Sequence, residues 1–381
     1  MFAESDKRDA DREGADEVEI ALWRAAAGFA LGLFTGALLQ RTRYCFMGAV
    51  SDWTVFGSLR RLRVWAMAAG LAVLGVRASA TLAGLPLAES PYLRDGIFWL
   101  GALGGGLLFG IGMVLAGGCA SRCLVRAGEG SVRALLAVLM LAISAFATMA
   151  GPLAPLHGWL RAVGTARPEA GAALPDLMAA PLGLGTGGTL LLSLLAGGAL
   201  LAFALAEPRL RRPSRESATA LGLAAAVLAG WWITGMFTHD LFEPGPVVSL
   251  SFVGPLARTV WFLMAGEGWP GFGVAVVLGV LAGSFAAARG SGEFRFDGFV
   301  DGGDAGRHLA GGLLMGVGGT LAMGCTVGQG LTGLSTLSAG SLLALLGIVL
   351  GGRLGVRLLA AGLFHPRALR GMSRMSPGTR P

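Results

Sequence analysis

A fifteen-residue glycine-rich stretch occurs twice in this chain, 206 residues apart, with ten of its fifteen positions identical. The first copy runs Gly105-Gly106-Leu107-Leu108-Phe109-Gly110-Ile111-Gly112-Met113-Val114-Leu115-Ala116-Gly117-Gly118-Cys119. The second runs Gly311-Gly312-Leu313-Leu314-Met315-Gly316-Val317-Gly318-Gly319-Thr320-Leu321-Ala322-Met323-Gly324-Cys325. Each copy reads as a helix with glycine along one face, then a break, then a cysteine in apolar sequence. In a hydrophobic chain, a duplicated helix followed by a broken segment points to a substrate path built at a repeat interface.

Only 14% of the residues are charged and 54% are hydrophobic, too little charge to cover a soluble protein of 381 residues. Several apolar runs exceed 18 residues, so the chain reads as an all-α polytopic membrane protein. Its net charge of +7 is almost wholly arginine, Lys7 being the one lysine. In a membrane protein such an excess records topology and not nucleic-acid binding. Cys45, Cys119, Cys123 and Cys325, with four histidines, have no zinc or disulfide spacing. No nucleotide or other cofactor motif is present.

Residues 1–20 hold eight acidic side chains beside Lys7, Arg8 and Arg12, and read as a disordered tail, not a signal peptide. The first membrane repeat covers 21–152, a long loop and linking span 153–216, the second repeat 217–364, and a basic tail 365–381. Spans are expected at about 21–40, 64–84, 97–116, 132–152, 183–206, 218–236, 271–288, 305–323 and 341–363, nine in all. A loop with His239, Asp240 and Glu243 and a short apolar segment at 247–264 lie in the second half. Cys45-Phe46-Met47-Gly48 aligns with Ser251-Phe252-Val253-Gly254 at the same offset of 206. Four short segments, headed by Cys45, Cys119, Ser251 and Cys325, therefore occupy equivalent places and read as re-entrant, too short to cross.

Four spans, one linking span and four spans make an inverted repeat. With the N-terminus outside, the arginine clusters at 41–63, 122–133, 209–215, 289–307 and 367–374 all fall in the cytoplasm. The segments at Cys45 and Cys119 then enter from inside, those at Ser251 and Cys325 from outside, and their meeting makes an hourglass. Non-helical backbone at that depth must be buried in protein or line a polar path.

The thiols narrow the chemistry. A lone cysteine in an apolar helix is ordinarily a small hydrophobe, and Cys123, which has no repeat partner, reads that way. Cys45, Cys119 and Cys325 head equivalent broken segments, which packing alone does not predict. A thiol is a soft, weak donor, suited to a polarizable sulfur or selenium atom or a soft metal. Amides beside the breaks at Gly118 and Gly324 would favour an anion. Few carboxylates fall in the spans, which disfavours a cation path. A membrane sulfurtransferase using a cysteine persulfide would need an activated thiolate; Arg122 is the one nearby activator and no general base accompanies it. A third reading is a structural subunit whose cysteines only pack.

The motifs Arg43-Tyr44-Cys45-x-x-Gly48, Gly110-x-Gly112-Met113-x-Leu115-x-x-Gly118-Cys119-x-Ser121-Arg122-x-Leu124-Val125-Arg126, Ser249-Leu250-Ser251-Phe252-Val253-Gly254-Pro255 and Gly324-Cys325-Thr326-Val327-Gly328-Gln329-Gly330-Leu331 resemble the YeeE/YedE family. The resemblance covers about residues 20–365. It implies an hourglass of inverted repeats in a bacterial inner membrane that takes up thiosulfate or a related sulfur anion, without enzymatic change. Three cysteines would relay the ion by its terminal sulfur; they match Cys45, Cys119 and Cys325. The motifs add Ser251, Gly118, Gly324, Arg122 and Gln329 to the expected translocation set, with Arg122 at the cytoplasmic mouth. Some members resembling this chain are linked to selenium, and some to a small cytoplasmic sulfur-carrier (TusA-like) partner. Cys123 departs from the family pattern, where another polar residue is usual.

Overall fold

The computed structural model describes residues 2–237, 246–266, 270–299 and 301–362, with side chains from Val18 onward. The loop with His239, Asp240 and Glu243 and the basic tail 365–381 lie outside the described residues. Nearly all the rest is helix. The first half comprises α1 (Phe2–Thr42), α2 (Phe46–Phe56), α3 (Arg60–Ala83), α4 (Pro91–Arg94), α5 (Trp99–Leu115), α6 (Ala120–Gly128) and α7 (Val132–Met149). Then come α8 (Ala154–Gly164), α9 (Leu174–Ala179) and α10 (Thr186–Leu205). The second half holds α11 (Arg215–Trp232), α12 (Val253–Ala265), α13 (Phe272–Gly290), α14 (Gly302–Leu321) and α15 (Ala339–Ala360). Strands β1 (Ile97–Phe98) and β2 (Thr165–Ala166) pair antiparallel.

Three expectations change. The helix α1 begins at Phe2, so the boundary at residue 20 is no break in secondary structure; alanine, glutamate, aspartate and arginine can all continue a helix there. The stretch 153–181 is not an irregular loop, since it forms α8, β2 and α9. Among the described residues eight helices, not nine, are long and apolar enough to cross a membrane. The ninth expected span is α14, 20 residues long, whose first turns carry Asp304, Arg307 and His308. Asp304 is buried and bonded there, to Arg307 at 2.8 Å and His308 at 3.3 Å, which lowers the helix's hydropathy without shortening it.

Glycine explains how these helices meet. At Gly28, Gly32 and Gly36 of α1 a β-carbon would strike Phe272 O, Val276 O and Val280 O of α13, in rising order, so the two helices run parallel. The same reasoning makes α5 parallel to α15 (Gly106 on Ala344, Gly110 on Ile348) and α7 parallel to α14 (Gly312 on Ala137, Gly316 on Leu141). In contrast, α5 and α14 cross antiparallel. Gly105 meets Gly318, and Gly112 meets Gly311, each at 2.6–2.8 Å from a would-be β-carbon to the partner carbonyl oxygen. Small residues that let backbones touch are the usual cement between membrane helices. Every one of these directions fits helices that alternate in sense, with α14 counted as a crossing.

The two halves contact alike. Under the 206-residue offset α3 corresponds to α13, α5 to α14, and α7 to α15, and the pair α5–α15 has its counterpart in α14–α7. Likewise α12–α7 answers α2–α15, and α12–α13 answers α2–α3. Ionic contacts gather four of the arginine clusters at one end of the bundle. Arg43 and Gln40 hold Glu293 at 2.6 and 2.8 Å, Arg60 holds Glu216, Arg63 reaches Glu207 at 3.4 Å, and Arg133 grips Asp297 at 2.6 Å. The other end carries Asp95 with Arg161 at 2.6 Å and the β1–β2 pair.

Candidate functional site

Each cysteine motif is built by the same backbone device. Arg43, Gly117 and Met323, each two residues before a cysteine, are left-handed with φ of 53°, 68° and 58°. A left-handed residue stops a helix. In the two repeat copies the stop is a Schellman turn: Gly118 N–H donates to Met113 O at 2.9 Å, and Gly324 N–H to Gly319 O at 2.8 Å. Glycine adopts that conformation freely at Gly117, whereas Met323 does so against the steric preference of an L-residue. The chain then re-enters a helix with Cys45 and Cys119 as the caps of α2 and α6, whereas Cys325 opens a turn before the π-helix Gly328–Gly333, which Val327 caps. The carbonyls of Cys45, Cys119 and Cys325 accept from Ala49, Cys123 and Gln329 at 3.1, 2.9 and 2.8 Å. Local geometry thus places Cys45 and Cys119 at helix starts and Cys325 in the turn that leads into one.

Two of the thiols are brought together. The Sγ atoms of Cys45 and Cys119 lie 4.0 Å apart, and Cys119 Sγ is 3.4 Å from Ser121 Oγ. Both cysteines line a central void of about 20 Å³, with Tyr44, Trp65, Ser121 and Thr326 among its walls. Cys325 is fully buried, and its sulfur accepts from Gly328 N–H at 3.3 Å. Ser251 stands over the same turn, 2.7 Å from where a Gly328 β-carbon would be. The Ser251 segment starts its helix one residue later than the Cys45 and Cys119 segments, with Phe252 as the cap of α12.

Larger cavities lie to either side. One of about 290 Å³ opens toward the Asp95–Arg161 end and is walled by Ser251, Gly324, Tyr92, His157, Arg161 and Arg258. The other, of about 330 Å³, opens at the arginine-rich end and includes Arg43, Tyr44, Arg60, Arg61, Asp52 and Glu216. Gly324 lines the first cavity and Thr326 the central void; Cys325, between them in sequence, is buried and lines neither. Tyr44 belongs both to the void and to the second cavity. A void of about 20 Å³ has room for roughly one water.

The other expected residues have structural partners. Arg122 forms a two-pronged pair with Glu129 at 3.0 and 3.4 Å and lines neither the void nor either cavity. Gln329 is buried; its amide nitrogen donates to Ala322 O at 2.5 Å and its oxygen accepts from Ser341 at 2.6 Å, bracing the broken segment against α14 and α15. The amides of Gly118 and Gly324 are occupied by their Schellman bonds, which leaves those glycines the turn itself. Cys123 donates to Gly118 O at 3.4 Å from a fully buried position. Sequence reasoning passed over Arg258, Trp65 and Thr326. Arg258, an exposed arginine inside the apolar segment 247–264, carried a visible signal.

The region matched to known proteins encloses these motifs. The profile described as "Sulphur transport" matches residues 41–354. The chain belongs to that family. The thiosulfate transporter TsuA of Escherichia coli strain K12 is 32% identical over 323 residues, covering 80% of this chain and 86% of that protein. The thiosulfate transporter TsuA of Spirochaeta thermophila is 28% identical over 337 residues, covering 85% and 96%. The probable transporter YedE of Escherichia coli is 33% identical over 103 residues, only 26% of this chain and 23% of that one. This sulphur transport family member is therefore a multi-pass membrane protein of a sulfur-compound transport class whose named relatives are transporters, not enzymes. Among the described residues no cluster of three or more histidine, cysteine or acidic side chains is arranged for a metal.

Proposed function

We propose that this protein imports thiosulfate, or a closely related sulfur-containing anion, across a bacterial inner membrane through a waist lined by cysteine thiols. The observation that carries the reading is a small void lined by Cys45 and Cys119, which shares Tyr44 with the arginine-rich cavity, while the neighbours of the buried Cys325 line the void (Thr326) and the other cavity (Gly324). The antiparallel crossing of the equivalent helices α5 and α14 supports inverted repeats, each supplying broken segments to the middle. Thiosulfate suits thiols because its terminal sulfur is large and polarizable. Weak contacts in series permit exit as well as entry. The persulfide reading loses its one activator, since Arg122 is paired with Glu129.

The arginine-rich end faces the cytoplasm under the positive-inside rule, with the N-terminus outside and the C-terminus inside. A reporter active only in the cytoplasm should work when fused after Pro381 and fail when fused at residue 1. Both ends reporting one side would remove this topology. A small sulfur-carrier protein of the TusA type would collect the ion at this inner face.

Capture begins in the outer cavity. Arg161 is paired with Asp95, whereas Arg258 has no ionic partner among the described residues. Its charge raises the local anion concentration, an effect that salt screens. Arg258→Gln is expected to lower radiolabelled thiosulfate uptake by cells roughly threefold to tenfold at low salt and less at high salt. Arg122→Gln, with correct insertion, should leave uptake near normal. Equal uptake by Arg258→Gln and the parent at every salt concentration would remove the steering role.

A further inference from the structure

Thiols answer only one end of thiosulfate. Its other end is a sulfonate whose three oxygens carry charge and lose strong hydrogen bonds to water on entering the waist. A thiol is too weak a donor to replace them. Two stronger donors stand in the same wall. Trp65 Nε1 has no hydrogen-bond partner and Thr326 Oγ1 has none beyond the weak Cys119 thiol beside it, on side chains only 7% and 2% exposed. Both line the central void with Cys45 and Cys119. A buried donor without a partner is rare in folded proteins and calls for a reason. Nearby polar groups show how unusual this is. Thr332, Ser335, Thr336 and Ser341 in the same broken segment and its neighbour all donate to an acceptor at 2.6–2.7 Å.

The structure assigns Thr326 and Trp65 as the oxygen-reading half of the waist: they donate to the sulfonate oxygens while Cys45 and Cys119 contact the terminal sulfur. This deepens the thiosulfate reading and rests on it. The void sits where both kinds of donor converge. Trp65 is fixed by an edge contact with Phe46, ring centres 5.5 Å apart, in the first turn after Cys45. Thr326 is fixed by the backbone turn that begins at Cys325. A waist with thiols alone would favour species with only soft ends, such as hydrosulfide. A waist with hydroxyl and indole donors alone would favour sulfate. The juxtaposition selects an ion that has both ends, and the small size of the closed void makes each donor count once it opens.

Threonine and valine have nearly the same shape, so Thr326→Val removes the donor and keeps the packing; Thr326→Ser keeps the donor. With purified protein in liposomes, Thr326→Val and Trp65→Phe are each expected to raise the half-saturating thiosulfate concentration about tenfold, the effect of losing one hydrogen bond to a charged group. Thr326→Ser should stay within about threefold of the parent. Inhibition by hydrosulfide, which has no oxygen, should be unchanged in all three. If the parent takes up thiosulfate while Thr326→Val and Trp65→Phe saturate at parental concentrations, the two donors do not read the ion. If Thr326→Val and Thr326→Ser fall equally, the position acts through shape and the assignment is likewise wrong. A parent that takes up no thiosulfate would instead remove the functional reading beneath it.

Discussion

Serine at Cys119 is expected to cut thiosulfate uptake at least tenfold while leaving the protein folded and at parental abundance. The exchange is nearly isosteric but replaces a soft, polarizable atom with a hard oxygen. Cys119 is the best placed of the three thiols, 4.0 Å from Cys45 Sγ and 3.4 Å from Ser121 Oγ in the wall of the central void. Its carbonyl caps α6 through the backbone, so the helix start survives the exchange. Cys325→Ser should lose less, since Cys325 is buried beside the void and not in its wall. Cys123→Ser should change little, because a serine hydroxyl can donate to the Gly118 carbonyl as the thiol does. Uptake by whole cells, normalised to membrane abundance, reads all four variants. Parental uptake in Cys119→Ser would remove its sulfur from the path.

A second large effect is expected at the α5–α14 crossing. Valine at Gly318 would place its β-carbon 2.5 Å from Phe109 N and 2.6 Å from Gly105 O. These are backbone atoms, which cannot turn aside as a flexible side chain does, so the helices must separate. Overpacking a core ordinarily costs about 1–3 kcal/mol, and a backbone collision exceeds what repacking absorbs. Gly318→Val should reduce the monodisperse folded species at least tenfold by size-exclusion chromatography of detergent extracts. Gly104→Val is the control, since a β-carbon at Gly104 meets nothing within 4 Å. Equal yields of the two variants would show that close approach at this crossing does not hold the fold.

Much of this architecture was legible because it is duplicated. The 206-residue repeat pointed to the breaks before Cys119 and Cys325, since a glycine-rich helix that stops before a cysteine is a local pattern, and the same offset aligned Cys45 with Ser251. Element types in the spans followed from apolar length. What escaped was set by long-range packing. Hydropathy alone does not reveal that the charged first turns of α14 fold onto Arg133 and onto each other. The proline and alanine of 153–181 looked like a loop, yet α9 is anchored at its start by Leu174 N–H on Leu337 O at 2.8 Å. Arg122 was visible beside Cys119, but its pairing with Glu129 seven residues later depends on the turn after α6. The left-handed Met323 could not be read from residue type, because methionine rarely adopts that conformation.

If thiols carry the anion, removing all three should abolish its passage. Its most direct measurement is influx of thiosulfate labelled on the terminal sulfur into liposomes holding the purified protein alone. The parent is compared there with a variant carrying serine at Cys45, Cys119 and Cys325 together. Saturable influx is expected with the parent and influx at the level of empty liposomes with the triple variant, both eluting as the same folded species. Equal influx through the two proteins, or none through the parent, would contradict it.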